Sequence, residues 1–354
     1  MQNPVTTSAA VSADSGRHWA DEGAWPVAPG VHRIPLPLPS DGLRAVNVYV
    51  LETAEGLTLV DGGWAIDASR EVLERSLAAI DRTVADVRSF LVTHAHRDHY
   101  TQAVALRAET GARVTLGAAE LPSLRAIRAG LEQADPHVAQ LRRAGAAELA
   151  RQWGRLSDGS SADLTVWEDP DSWLAGDLRI SVGDRTLDAL HTPGHTQGHY
   201  VFAETGAGLL FAGDHVLPTI TPSIGFEAVV PDQPLGDFLG SLAKVRALPD
   251  LALLPAHGPV AASTHARVDE LLAHHDHRLT LCLDAFGEGA ELTAHDVAAV
   301  LPWTRHEHAL RDLDVFNAAL ATMETRAHLE LLVARGRLAR DEVDGTEVYR
   351  NSST

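Results

Sequence analysis

The chain has 354 residues, of which 45% are hydrophobic and 22% are charged, which is ordinary for a globular protein and long enough for two domains. Its 48 acidic residues against 29 basic ones give a formal net charge of −19, which argues against binding to the phosphate backbone of nucleic acid. No stretch approaches the roughly eighteen apolar residues of a membrane-spanning helix, so we expect no membrane partner.

Residues 1–30 are predicted to form a partly disordered N-terminal tail. The beginning of this tail is polar and built from small residues, and it lacks the basic-then-apolar order of a secretory signal peptide. The single cysteine, Cys282, cannot form an internal disulfide. Both features favour a cytoplasmic protein.

The body of the chain begins with short apolar runs that are typical of buried strands. These runs lie at 31–36, 46–51, 57–60 and 87–92, and the apolar spacing over 66–80 predicts a helix. Strands on both sides of intervening helices favour a layered α/β fold.

A dense group of side chains that can bind metal follows the run at 87–92. His94, His96, Asp98 and His99 fall within six positions. Because alternate residues of an extended backbone point the same way, His94 and His96 can reach one ion, and the other two are available to a second. The competing interpretation is a chance cluster in a chain with 19 histidines, in which Asp98 only caps a helix.

Three further candidate ligands downstream favour the metal-binding interpretation. His195, Asp214 and His257 each follow an apolar, strand-like run and lie in a turn rich in glycine or proline. Such turns at the ends of strands are where sheets commonly present ligands. A helical insertion at about 118–171 separates the first cluster from His195, and we predict either a cover for the substrate or a surface addition.

With these motifs, the stretch from about residue 31 to residue 260 resembles the metallo-β-lactamase-fold hydrolases, the superfamily that includes glyoxalase II. The resemblance implies an αββα sandwich for a catalytic domain at 31–262, and an orienting role for Asp61 toward a ligand histidine. It also implies two sets of metal ligands that share one carboxylate: His94, His96 and His195 for the first ion, Asp98, His99 and His257 for the second, and Asp214 between them.

Mixed imidazole and carboxylate ligands suit two divalent ions, in the first place Zn²⁺, with iron or manganese as alternatives. A water shared by two such ions is acidified, so a hydroxide is available near neutral pH to attack a carbonyl. Asp98 and Asp214 are the predicted catalytic residues. The expected reaction is hydrolysis of an ester-like bond (a thioester, ester or lactone) in a small-molecule substrate.

Two other functions compete with this prediction. A metal-dependent nuclease of the same fold would need a basic surface that the sequence lacks. A non-catalytic scaffold would not need seven metal ligands. Within the superfamily, His96 stands where flavodiiron relatives carry a glutamate, and Asp214 stands where β-lactamases of the cysteine-ligand type carry that cysteine.

Residues 263–354 differ from the rest of the chain in their sequence pattern. A helix, a glycine and then a hairpin with an Asp344-Gly345 turn resemble the winged-helix domain found on one branch of these hydrolases. From residue 262 onward, nine arginines and no lysine stand against sixteen acidic residues, a balance of −7. We therefore expect this winged-helix-like domain to close the pocket or to form a homodimer rather than to bind DNA.

Two details of this C-terminal region are also predicted. The helical segment over 323–335 has an amphipathic pattern. His274, His275 and His277 are expected to lie on a solvated helix face rather than in a third metal site.

Overall fold

The computed structural model describes residues 17–39, 42–132, 135–157, 163–304 and 306–352, so the beginning of the predicted tail lies outside the described residues. Two β-sheets face each other, and helices cover the outer side of each sheet. This arrangement confirms the predicted αββα sandwich.

The first sheet has seven strands that follow one another in sequence order. The pairings are antiparallel from the first to the fourth strand and parallel from the fourth to the seventh. The strands are β1 (Trp25–Ala28), β2 (Val31–Pro37), β3 (Ala45–Thr53), β4 (Gly56–Val60), β5 (Val87–Leu91), β6 (Arg113–Gly117) and β7 (Ser172–Leu174).

Strand β1 was not predicted, because it lies in the stretch assigned to the tail. It is a four-residue edge strand that contains Pro26, a residue that sheets accept at their edges. Its side chain at Val27 is 2% exposed, so pairing with β2 and burial hold a segment too short to show a pattern of its own.

The second sheet has five strands in the order β12-β11-β10-β9-β8, all antiparallel except for the parallel pair β11 and β12. Its strands are β8 (Leu178–Val182), β9 (Arg185–His191), β10 (Tyr200–Glu204), β11 (Leu209–Gly213) and β12 (Ala252–Pro255). Aromatic and aliphatic side chains fill the space between the sheets. Tyr49 of β3, for example, meets Phe211 of β11 edge-on, with ring centroids 5.4 Å apart.

The helices fall into four groups: α1 (Asp67–Ala78) and α2 (Arg97–Thr110) on the first sheet, α6 (Pro234–Arg246) and α7 (Thr264–Asp284) on the second, α3 (Leu121–Glu132), α4 (Pro136–Arg143) and α5 (Ala147–Ser157) in the insertion, and α8 (Ala294–Val300) and α9 (Val315–Ala334) near the C-terminus. A hairpin of β13 (Leu338–Val343) and β14 (Thr346–Asn351) ends the described chain. None of the described helices is long and apolar enough to cross a membrane.

The insertion, the second sheet and the C-terminal helices share one hydrophobic core. Buried side chains run from Leu141 of α4 through Phe238 of α6 to Leu271 of α7 and Leu329 of α9. The prediction of an amphipathic helix over 323–335 is wrong, because α9 packs against α5, α6, α7 and α8 and is buried on most of its surface.

Candidate metal centre

The candidate ligands come together where four strands end at the same side of the sandwich. His94 and His96 lie in the turn after β5, while Asp98 and His99 lie in the first turn of α2, which begins at Arg97. The N-cap position of this helix is His96, so Asp98 is not the cap that the competing interpretation required. His195 follows β9, Asp214 follows β11 and His257 follows β12.

A first group of side chains consists of His94, His96, His195 and Asp214. Nδ1 of His96 lies 2.9 Å from Nε2 of His94 and 3.1 Å from Nε2 of His195. The Oδ2 atom of Asp214 lies 3.4 Å from the same nitrogen of His195. Three imidazole nitrogens and one carboxylate oxygen thus face a common point.

A second group consists of Asp98, His99 and His257. Nε2 of His257 lies 3.4 Å from Oδ2 of Asp98, and Nε2 of His99 lies 3.6 Å from that oxygen. The other carboxylate oxygen of Asp214, Oδ1, lies 3.4 Å from Nε2 of His257 and 3.7 Å from Nε2 of His99. Asp214 therefore directs one oxygen to each group.

Unpartnered buried atoms show that these groups fit a divalent cation. Nε2 of His99, Nε2 of His257 and Oδ1 of Asp214 are buried and have no hydrogen-bond partner, a state that normally costs about 1–3 kcal/mol for each group. All three atoms face one another across the second group. Imidazole nitrogens and carboxylate oxygens are the donors that zinc and related ions accept, so a cation would satisfy them.

Hydrogen bonds to the opposite ring nitrogen orient three of the histidines. Nδ1 of His99 lies 2.9 Å from Oδ2 of Asp61, while Nδ1 of His195 and Nδ1 of His257 each lie 2.8 Å from a backbone carbonyl oxygen. Those carbonyls accept only, so Nδ1 carries the proton. A neutral ring then presents the lone pair of Nε2 to the centre, which is the usual arrangement of a metal-binding histidine.

Asp61 is held by the loop after β4 in a left-handed conformation, with φ of 64°. Besides His99, its carboxylate accepts hydrogen bonds from the backbone N–H and the hydroxyl of Thr93, at 2.8 Å and 3.0 Å. Asp61 therefore connects the loop after β4 to the turn that carries His94. This contact is the orienting role that the resemblance implies.

The two groups differ in protonation. Burial lowers the pKa of His94 and His195, and it lowers the pKa of His96 to about 3, so the first group is neutral near pH 7. The neutrality of the first group applies to its three imidazoles, since Asp214 is ionised. Burial also opposes charge on His99, but the carboxylates of Asp61, Asp98 and Asp214 outweigh it and raise the pKa of His99 to about 10. A proton on His99 thus balances the negative charge of the carboxylates in the second group. A metal ion bound there would displace this proton.

The pKa values of the two acidic ligands are lowered. Burial alone would raise the pKa of Asp98 and of Asp214. The neighbouring imidazoles, above all His99 and His257, nevertheless lower both pKa values, so both carboxylates are ionised near neutral pH. Two ionised carboxylates among five imidazoles form a donor set of the kind that divalent ions bind.

Three residues beside the motifs, whose roles the sequence left open, are now placed. Nε2 of His199 accepts the backbone N–H of Asp214 at 3.2 Å, so His199 supports the shared carboxylate. His215 is fully buried and lies edge-on to Phe238, with ring centroids 5.1 Å apart. Tyr100 is also fully buried and donates its hydroxyl to the backbone oxygen of Glu168 at 2.5 Å, so it packs beneath α2 instead of lining a pocket.

Two buried carboxylates near the first group were missed by the sequence interpretation. Glu120 and Glu227 are 1% and 3% exposed, respectively. Burial raises the pKa of Glu120 to about 7, although the nearby hydroxyl of Thr196 and the backbone N–H groups of Ala95 and Gly198 act to lower it. Burial and Glu120 together raise the pKa of Glu227. No motif marks either residue, because Glu120 lies at the start of the alanine- and leucine-rich insertion and Glu227 lies in a long loop.

A third group of candidate ligands lies between α7 and α9: His274, His275 and Glu324, with ligand atoms within 4.8 Å of one another. The prediction of a solvated face is wrong for His275, which is 0% exposed because α9 covers it. Its Nδ1 lies 3.2 Å from Nε2 of His328, whose Nδ1 donates to the backbone oxygen of Glu324 at 2.7 Å. This chain of hydrogen bonds joins the two helices.

Comparisons with known proteins agree with this geometry. The sequence matches the metallo-β-lactamase superfamily over residues 41–257, and the protein belongs to that superfamily. Two solved structures share 28% sequence identity with it: a metallo-β-lactamase family protein from Thermus thermophilus, with a TM-score of 0.74 over 92% of this chain and 100% of that chain, and a β-lactamase domain protein from Burkholderia ambifaria, with a TM-score of 0.76 over 93% and 94%.

Curated relatives match over shorter stretches. A β-lactamase-like protein 2 homolog from Caenorhabditis elegans is 30% identical over 140 residues, which are 38% of this chain and 45% of the relative. The atrochrysone carboxyl ACP thioesterase AgnL7 from Paecilomyces divaricatus is 27% identical over 161 residues, which are 43% of this chain and 49% of the relative. The chain thus spans about half the length of these curated relatives.

Proposed function

We propose that the protein is a binuclear metal-dependent hydrolase, loaded with two zinc ions, that cleaves an ester-like bond of a small molecule. The observation that carries this proposal is the position of Asp214, whose two carboxylate oxygens face two separate groups of imidazole ligands at 3.4 Å. A bound pair of divalent ions would acidify a water molecule and polarise the carbonyl of the substrate.

The side chains of the protein have separate roles at this centre. Asp214 and the six other ligands fix the reacting centre, and Asp61 and His199 hold them in place. The side chain of Asp98 is 14% exposed, whereas His99 and His257 are 0% and 2% exposed, so Asp98 lies on the side that water and substrate can reach. We assign to the free oxygen of Asp98 the role of accepting the proton of the attacking water.

One relative favours an ester-like substrate, and the burial of the cysteine argues against a thiol nucleophile. The thioesterase name of the relative from Paecilomyces divaricatus points to cleavage of a thioester by that protein. In addition, the one thiol of this chain cannot serve as a nucleophile, because Cys282 is 1% exposed and burial raises its pKa to about 12. A cysteine acyl intermediate is therefore excluded, which agrees with the proposed attack by water.

The C-terminal segment supports a small-molecule substrate rather than nucleic acid. The order of α8, α9 and the hairpin, with Leu292 bridged to Tyr349, supports the proposal of a winged-helix-like segment. In DNA-binding relatives of that layout, a helix must be free to enter the major groove. Here α9 is covered by five other helices, so we propose that the segment is structural. A cytoplasmic location and a homodimer stay predictions.

An activity screen with defined metals tests this function. Protein freed of metal and reloaded with zinc, manganese or iron would be assayed on thioesters, lactones, phosphodiesters and β-lactams. We expect metal-dependent turnover of a thioester or lactone. Preferred cleavage of phosphodiesters, with tight and salt-dependent RNA binding, would instead favour the nuclease.

A further inference from the structure

We propose that Glu120 is a positioning residue that fastens the two loops of the first ligand group to each other and so sets the affinity of that group for its metal ion. The proposal rests on the proposed function in that it requires two metal sites. Glu120 ends a short 3₁₀ turn, Ala118–Glu120, directly after β6. Its side chain carries no metal-binding role of its own in either ligand group.

The contacts of the Glu120 carboxylate reach both loops. The hydroxyl of Thr196 donates to Oε1 of Glu120, and the backbone N–H groups of Ala95 and Gly198 face the same carboxylate and favour its charged form. Ala95 lies between the ligands His94 and His96, and Thr196 directly follows the ligand His195. One buried carboxylate therefore joins the segments that carry all three imidazoles of the first group.

Close backbone packing makes this connection rigid. A β-carbon at Gly198 would lie 2.4 Å from the backbone nitrogen and from Cγ of Glu120, and a β-carbon at Gly117 would lie 2.0 Å from the backbone oxygen of Gly198. Neither position can accept a side chain without moving the loop. The turn after β6 and the loop after β9 are thus in direct contact, with Glu120 between them.

Glu227 extends the same connection to a third segment. Its carboxylate accepts the backbone N–H of Gln197 at 3.1 Å and the hydroxyl of Ser123 at 3.3 Å. The loop that carries Glu227 also supplies the backbone oxygen of Ser223 that receives Nδ1 of His195. The loop around His195 is therefore held on both sides by buried acceptors, and Glu120 is the one that also reaches the turn of His94.

The second ligand group is held by other contacts, which gives the proposal a specific signature. His99 is oriented by Asp61, and His257 is oriented by the backbone oxygen of Ala45. Loss of Glu120 should therefore weaken the first site far more than the second. A residue that only stabilised the fold would affect both sites alike.

The test compares metal affinities of the full-length chain and three variants. Glu120→Gln replaces an acceptor oxygen with an amide that faces N–H and hydroxyl donors, whereas Asp61→Asn removes the carboxylate that orients His99 of the second site. Glu330→Gln is the matched control, because Glu330 is a buried carboxylate, 5% exposed, that bonds Tyr349 and Arg340 instead of the metal loops. Zinc affinity at each site would be measured by chelator competition, and the two sites would be distinguished by the absorption spectra of the cobalt-loaded protein.

We expect Glu120→Gln to weaken the first site by about 10- to 100-fold, the usual effect of removing a residue that holds a metal ligand, with little change at the second site. Asp61→Asn should weaken the second site and also disturb the first, because Asp61 holds Thr93, whose hydroxyl contacts Nδ1 of His94. Glu330→Gln should leave both affinities unchanged. Equal weakening of both sites by Glu120→Gln, or no weakening, would overturn the proposal.

Two further results keep the test decisive. If Glu120→Gln does not fold, Thr196→Val removes the hydroxyl that donates to Oε1 of Glu120 and should weaken the first site in the same direction. An unchanged first site would then overturn the proposal. If the unmodified protein binds no metal at all, the proposed function fails. Two sites in the unmodified protein with no effect of Glu120 would reject the positioning role alone.

Discussion

At the scale of single residues, Asp214 is where the two ligand groups meet. Replacement by alanine removes the oxygens that face both groups and leaves the remaining cationic centre poorly compensated. We expect Asp214→Ala to lower kcat by at least about 10²–10³, the typical loss for one oriented electrostatic contributor. Steady-state kinetics on the substrate found in the screen measures this loss.

The matched control for this variant is Asp269→Ala, which removes an exposed carboxylate paired with Arg246 on the surface of α7. It should leave both kcat and the melting temperature unchanged. Near-normal turnover of Asp214→Ala with both metals bound would show that the shared carboxylate is assigned to the wrong residue.

The sequence could predict the ligands but not the residues that hold them. His94, His96, Asp98 and His99 lie so close in the chain that their spacing alone indicates metal binding. Glu120, by contrast, meets Thr196 from 76 positions away, and no local pattern encodes that distance. Its function depends on how β6 and the loop after β9 are placed by the fold, which only the structure shows.

At the scale of secondary-structure elements, N-terminal caps can be tested without touching the metal centre. The hydroxyl of Thr293 accepts the backbone N–H of Asp296, and the Asp296 carboxylate accepts the backbone N–H of Thr293, a capping box at the start of α8. We expect Thr293→Ala to lower the free energy of unfolding by about 1 kcal/mol. Denaturant titration measures it.

Thr280→Ala is the control for the cap, because Thr280 is exposed within α7 and bonds only the backbone oxygen of Asp276 among the contacts described. Its free energy of unfolding should stay within about 0.5 kcal/mol of the unmodified protein. Equal losses of unfolding free energy in the two threonine variants would mean that the capping hydrogen bonds of Thr293 add no stability beyond the packing of its side chain.

Elements with a clear apolar period were predicted well, and elements defined by tertiary contacts were not. The strands around 46–51 and 57–60 and the helix over 66–80 follow from local pattern, because one face or both faces are buried. Strand β1 is too short for a pattern. The polar residues of helix α9 suggest a solvent-exposed face in the sequence. In the structure such residues, among them Thr322 and His328, are buried against neighbouring helices.

At the scale of the whole molecule, the C-terminal helices are part of the core. Phe238 and Leu242 of α6 are fully buried in the same cluster as Val268 and Leu271 of α7. A chain that ends near residue 262 would expose this surface to water, and we expect it to aggregate. Size-exclusion chromatography measures the outcome, and a monomeric truncated chain with an unchanged melting temperature would contradict the shared core.

Single substitutions separate this packing effect from loss of the whole segment. Leu329 is 0% exposed in α9, so Leu329→Ala should lower the free energy of unfolding by about 2–5 kcal/mol. Val343 is 54% exposed in β13 of the same segment, and Val343→Ala should have little effect. Equal stability of the two variants would show that α9 does not support the core.

The central claim is that the chain holds two metal ions and that Asp214 is shared between them. Elemental analysis of the purified full-length protein, compared with Asp214→Ala, tests it most directly. We expect about two equivalents of metal in the unmodified protein and a clear loss in the variant, because the seven side chains form two groups that share only Asp214. If the unmodified protein carried a third equivalent of metal that His275→Gln lost, that ion would belong to the group between α7 and α9. A reproducible value of zero, or a metal content that does not depend on Asp214, would contradict the account.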